Sequence, residues 1–141
     1  MAIKAEIIEK KIQQGDVILY KLKENALPDV NFTKESKDRV ILALGETTGH
    51  EHNIKSSDVL VADINLESIT PESAREFLSA KALKVMVPTK LRHGKPGDYD
   101  ATTVEGTRLS HEALELEPGL YVVRHKREYD FFKEEASRVI D

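Results

Sequence analysis

The chain has 141 residues, no cysteine, 21 basic and 25 acidic side chains and a formal charge of −4, with 40% hydrophobic and 33% charged residues. That size suits one domain able to bury a core unaided, and the lack of cysteine excludes a disulfide framework, thiolate metal ligation and a thiol nucleophile. No apolar run approaches the roughly 20 residues of a spanning helix, Met1–Glu6 shows no secretory pattern, and the acidic balance lacks the footprint of a non-specific nucleic-acid coat. The expectation is a cytoplasmic protein, a single domain over residues 1–141, with no membrane and no non-specific DNA binding.

In chain order, Gly15-Asp16 reads as a turn feeding a strand through Val17-Ile18-Leu19-Tyr20-Lys21-Leu22, where β-branched and aromatic residues follow the breaker. Residues 25–38, with Pro28 and several charges, read as a loop, and Arg39-Val40-Ile41-Leu42-Ala43-Leu44 as a short buried strand. Asp58 to Ile64 is a further strand. Thr70-Pro71-Glu72 carries a capping threonine, a proline suited to the first helical position and an acid for the positive helix end, which predicts a helix over 71–81. Its inward stripe is Ala74, Phe77, Leu78 and the apolar stem of Lys81. Leu83 to Val87 alternates like a half-buried strand. Arg92 to Thr107, with Gly94, Pro96, Gly97 and Gly106, reads as a long flexible loop.

Leu109 to Leu116 and Leu120 to Tyr129 read as two strands of a hairpin turning at Glu117-Pro118-Gly119. Phe132, Ala136 and Val139 are spaced for a short C-terminal helix. Short strands, one inserted helix and no βαβ rhythm predict a mainly β fold, a small antiparallel barrel or sandwich.

The most informative local pattern is Leu44-Gly45-Glu46-Thr47-Thr48-Gly49-His50-Glu51-His52. Side chains one residue apart on an extended segment point to the same side, so His50 and His52 can share one metal ion or substrate atom. Neutral imidazole suits zinc, iron, nickel or manganese, and three protein ligands with an open position are usual for a catalytic metal. His111 is the third candidate, while His93 is set aside because its loop is rich in glycine. Glu46, Glu51 and Glu112 are the carboxylates available to orient a ligand or act as general base.

Two other readings use the same residues. In a metal-free phosphodiesterase resembling a ribonuclease, His50 or His52 and His111 exchange protons while Arg124, Lys126 or Arg127 neutralises the phosphate. In a self-associating module the histidines are structural and the end of the chain, with Arg127 and Tyr129, makes subunit contacts. Gly45 and Gly49 around Glu46-Thr47-Thr48 read as a tight turn rather than a phosphate loop, because no lysine follows. The Arg124-His125-Lys126-Arg127 run has the blander reading of a solvated charged face.

The residues Gly15-Asp16-Val17, Leu42 through His52 with its G-E-x-T-G-H-x-H pattern, His111, Leu116-Glu117-Pro118-Gly119-Leu120-Tyr121-Val122-Val123 and Arg127-Glu128-Tyr129 resemble a family of small, largely uncharacterised bacterial and phage proteins. The resemblance implies that Gly49, His50, His52, His111, Arg127, Glu128 and Tyr129 belong to one pattern; it implies no reaction. Because it does not extend over residues 56–107, that stretch reads as a family-specific insertion holding the helix and the flexible loop. A looser similarity is to cupins, β-barrels whose metal site also begins with a glycine and a His-x-His pair; here Lys55, Ser56 and Ser57 stand where the following glutamate would be.

These readings converge on a bacterial or phage-encoded mainly β protein that holds one divalent metal through His50, His52 and His111, with Glu46, Glu112 or His111 handling protons. Metal-assisted hydrolysis of a small molecule or phosphodiester is the expected chemistry, and a homo-oligomer the expected assembly.

Overall fold

The computed structural model describes residues 5–44, 50–67, 77–94, 103–104, 107–108 and 113–125. Eleven strands account for most of them: β1 (Ile8–Gln14), β2 (Val17–Leu22), β3 (Arg39–Leu44), β4 (Glu51–Lys55), β5 (Val59–Glu67), β6 (Phe77–Val85), β7 (Thr89–Gly94), β8 (Thr103–Val104), β9 (Thr107–Arg108), β10 (Leu114–Leu116) and β11 (Gly119–His125). They form a five-stranded sheet in the order β1-β2-β11-β6-β5, a four-stranded sheet in the order β10-β7-β4-β3, and the small β8-β9 ribbon. All pairings are antiparallel. The architecture is a sandwich of two sheets rather than a closed barrel, and no helix among the described residues is long and apolar enough to cross a membrane.

The sheets face each other across one apolar cluster. Val17 and Leu19 of β2, Leu83 and Val85 of β6 and Tyr121 and Val123 of β11 meet Val40 and Leu42 of β3, Ile54 of β4, Leu91 of β7 and Leu116 of β10. Each strand supplies alternate residues, as the period of two in an extended chain requires. The five-stranded sheet is also buried on its other face, where Leu22, Ala80, Ala82, Val122 and Ile64 lie under Leu27, Val30 and Phe32 of the loop between β2 and β3. This is why Val17-Ile18-Leu19 is buried without a break. The loop is tied down where Thr33 and Val61 exchange backbone hydrogen bonds of 2.8 Å each.

Three expected elements are corrected. The helix over 71–81 does not hold from Phe77 onward, because Phe77–Val85 is β6, paired along its length with β5 and over its C-terminal half with β11. Two rows of interstrand hydrogen bonds outweigh local helix preference in a segment whose apolar spacing fits both periods. The start of that helix, 71–76, and the C-terminal helix lie outside the described residues.

The hairpin across Glu117-Pro118-Gly119 is also not formed: β10 pairs with β7, whereas β11 pairs with β2 and β6, so the turn carries the chain from one sheet to the other. Leu116 and Tyr121 nevertheless both fill the core between the sheets. Finally, the expected loop from Arg92 to Thr107 begins inside β7, contains β8 and ends on the first residue of β9. The stretch 56–107 thus supplies the strand between β11 and β5 and the strand between β10 and β4.

Candidate histidine site

At one end of the space between the sheets the chemistry changes. Alternation along β4 puts Ile54 in the core, with His52 and then His50 following on the same inner face. β7 repeats this with Leu91 followed by His93, β11 with Tyr121 and Val123 followed by His125, and β1 with Ile12 followed by Gln14. The registers align these ends, since His52 stands opposite His93, and Val17 opposite both Gln14 and His125. Four strands therefore exchange an aliphatic or aromatic residue for an imidazole or amide at the same end of the sandwich. His50, His52, His93 and Gln14 are all buried there.

The contacts define the state of one ring. Gln14 Nε2 donates to the Leu91 carbonyl at 3.0 Å, which orients its Oε1 as an acceptor, and that oxygen lies 2.9 Å from His52 Nδ1. A carbonyl oxygen can only accept, so Nδ1 carries a proton in this contact. His93 stacks on His52 with ring centres 4.0 Å apart and planes 18° apart, and meets His50 edge to face at 6.0 Å. His125 Nε2 donates to the Leu42 carbonyl at 3.1 Å, closing the same end from the five-stranded sheet.

On the outer face of β4 the intervening residues build a separate network. Glu51 accepts from Arg39 of β3 and, at 2.7 Å, from Asn53 Nδ2, while Asn53 Oδ1 accepts from Arg92 Nε of β7 at 2.8 Å. The Glu51 hydrogen bond is the main reason the Arg39 guanidinium is held above its ordinary pKa. This buried carboxylate is thereby neutralised across three strands, as a charge withdrawn from water requires. Glu51 faces away from the imidazoles and is committed to Arg39.

The rings of His50 and His52 each lie against His93. His111, Glu46, Glu112, Arg127 and Tyr129 lie outside the described residues. Arg124 is buried on the opposite face of β11 from His125, beside Val122, so the five-stranded sheet separates it from the imidazole rings. His93, set aside on sequence as part of a glycine-rich loop, is instead a buried strand residue in contact with both other rings. Its signal was the Leu91-x-His93 alternation, which copies His52-x-Ile54 in reverse.

Among the described residues no three His, Asp or Glu side chains are grouped to hold a metal ion. The stacked pair explains part of this: imidazole lone pairs lie in the ring plane, and two nearly parallel planes do not aim them at one point.

Fold and site together define a small antiparallel β-sandwich whose interior is apolar at one end and lined with histidine at the other. The chain belongs to the family described as Domain of unknown function (DUF8820), which it matches over residues 13–126, a span that includes Gln14, His50, His52, His93 and His125. No curated protein and no solved structure matches the chain.

Proposed function

We propose that the histidine end of the sandwich binds one divalent metal through His50 and His52 and that the protein is a metal-assisted hydrolase. The observation that carries this reading is the Gln14 hydrogen bond to His52. An acceptor on one ring nitrogen holds the tautomer and the ring orientation, the support that metal-binding histidines commonly receive. His50 follows His52 on the inner face of the same segment, and the ring of His93 packs against both.

His111, the third donor expected from the sequence, completes the set, with Glu46 or Glu112 as the proton-handling carboxylate. Zinc, iron, nickel and manganese all suit imidazole with oxygen donors. A divalent ion held by three side chains supplies Lewis-acid activation of water for hydrolysis. The metal-free phosphodiesterase reading draws less support, because Arg124 stands on the far side of the five-stranded sheet.

Metal analysis of the purified chain tests the proposal. One equivalent of metal is expected, and a His50→Ala/His52→Ala variant that retains its β-sheet circular dichroism should bind none. Cobalt titration gives a second readout, because imidazole ligation produces visible absorption bands that the double variant must lose. Stoichiometric metal in the folded double variant, or none in the parent protein after incubation with zinc and cobalt, would sink the reading.

A further inference from the structure

His93 is the buried ring of the histidine end to which the metal reading gives no task. It stands directly opposite His52 across β4 and β7, a cross-strand pair whose side chains share the inner face of the sheet. Its ring covers one face of His52, with centres 4.0 Å apart and planes 18° apart, and it meets His50 edge to face at 6.0 Å and 63°. All three side chains are buried.

The Gln14 hydrogen bond and the His93 stack hold His52 along different directions. Gln14 Oε1, 2.9 Å from Nδ1, fixes the ring at one edge, because an imidazole N–H points within the ring plane. That contact alone leaves the ring able to tilt, and a second ring packed on its face opposes the tilt. The two supports come from different sheets, Gln14 from β1 and His93 from β7. The same stack disqualifies His93 as a fellow ligand of His52. Imidazole coordinates through a lone pair in its own plane, about 2 Å from the ion, and two rings lying face to face direct those lone pairs along planes that do not meet so close to both.

We propose that His93 is a positioning residue of this site and not a ligand: its ring sets the plane of His52 by stacking and steadies His50 with its edge. The consequence for metal rests on the reading of His50 and His52 as ligands, whereas the control of the His52 ring can be tested without metal. An aromatic face is what the stack needs, so phenylalanine at position 93 should serve and alanine should not.

The experiment uses full-length protein labelled with ¹⁵N at histidine, with zinc as the probe. Before zinc is added, long-range proton–nitrogen spectra should show His52 as one tautomer, protonated at Nδ1. His93→Ala should give averaged His52 nitrogen shifts and His93→Phe should restore the single form, both variants retaining β-sheet circular dichroism. With one equivalent of zinc, the nitrogens of His50 and His52 should take the shifts of coordinated imidazole while those of His93 do not. Zinc affinity should fall about tenfold or more in His93→Ala and return in His93→Phe. The proposal falls if His93 shows coordination shifts, if the His52 signals of His93→Ala match the parent's, or if folded His93→Phe behaves like His93→Ala. A parent protein that takes up neither zinc nor cobalt, yet loses the single His52 tautomer in His93→Ala, would end the metal reading and uphold the positioning role.

Discussion

The two ends of the space between the sheets follow the same two-residue alternation and differ in what it delivers. Toward one end β6, β10 and β11 contribute Leu83, Val85, Leu116 and Tyr121, with 0–2% of their surfaces exposed. Toward the other, β1, β4, β7 and β11 carry Gln14, His52, His93 and His125 at or next to their ends. The apolar end gains stability from every methyl group withdrawn from water, and a polar group there would need a partner to offset its lost hydration. The histidine end meets that requirement through Gln14, the Leu91 and Leu42 carbonyls and ring stacking. One end holds the sheets together, and the other keeps oriented nitrogens within a sandwich that the first makes rigid.

Substitutions at the two ends should therefore separate stability from binding. The largest effect is expected from Leu83→Ala, which leaves a cavity at a fully buried position and should cost about 3 kcal/mol in urea unfolding. Its metal content per folded molecule should stay the same; a parallel loss of metal would mean that the ends are not separable. Next is Gln14→Ala, which removes the acceptor on His52 Nδ1 and should weaken metal binding about 10- to 100-fold, measured by competition with a chromophoric chelator. An unchanged affinity would remove the distinction assigned to the histidine end.

The smallest effect concerns Tyr121, whose hydroxyl donates to the Glu117 carbonyl at 2.7 Å. Tyr121→Phe should cost about 1 kcal/mol and leave metal binding untouched. Burial, reinforced by the Glu117 carboxylate, pushes the Tyr121 phenol up to about 12. Between pH 10 and 12 the folded state then holds a proton that the unfolded chain has released, so stability is intact below pH 10 and falls as pH rises through that window. In Tyr121→Phe this alkaline slope should be reduced, and urea unfolding at pH 8 and pH 11 checks it. A slope equal in both proteins would place its origin elsewhere.

Much of the sandwich is legible from local pattern. The runs Val17 to Leu22, Arg39 to Leu44 and Val59 to Ile64 are strands because β-branched residues bounded by turn formers have few other stable conformations. Placing His50 and His52 on one side needs only the two-residue period. β1 was missed because Glu9, Lys10 and Lys11 hide its alternation, as suits an edge strand exposed to water. The segment after Phe77 misled because its apolar residues fit a helical stripe as well as a strand. Gly94 made the end of β7 resemble a loop, which concealed His93.

The amino-acid order by itself determined a mainly β chain without thiol chemistry and the face each strand turns inward. Only the tertiary structure decided that β10 and β11 part into different sheets, that His93 and Gln14 meet His52, and that Arg124 lies across a sheet from them. The physical reason is that a strand's period dictates which side a residue occupies, a local property. Which strand lies alongside depends on hydrogen bonds and buried area shared by residues far apart in the chain, Gln14 and His52 among them.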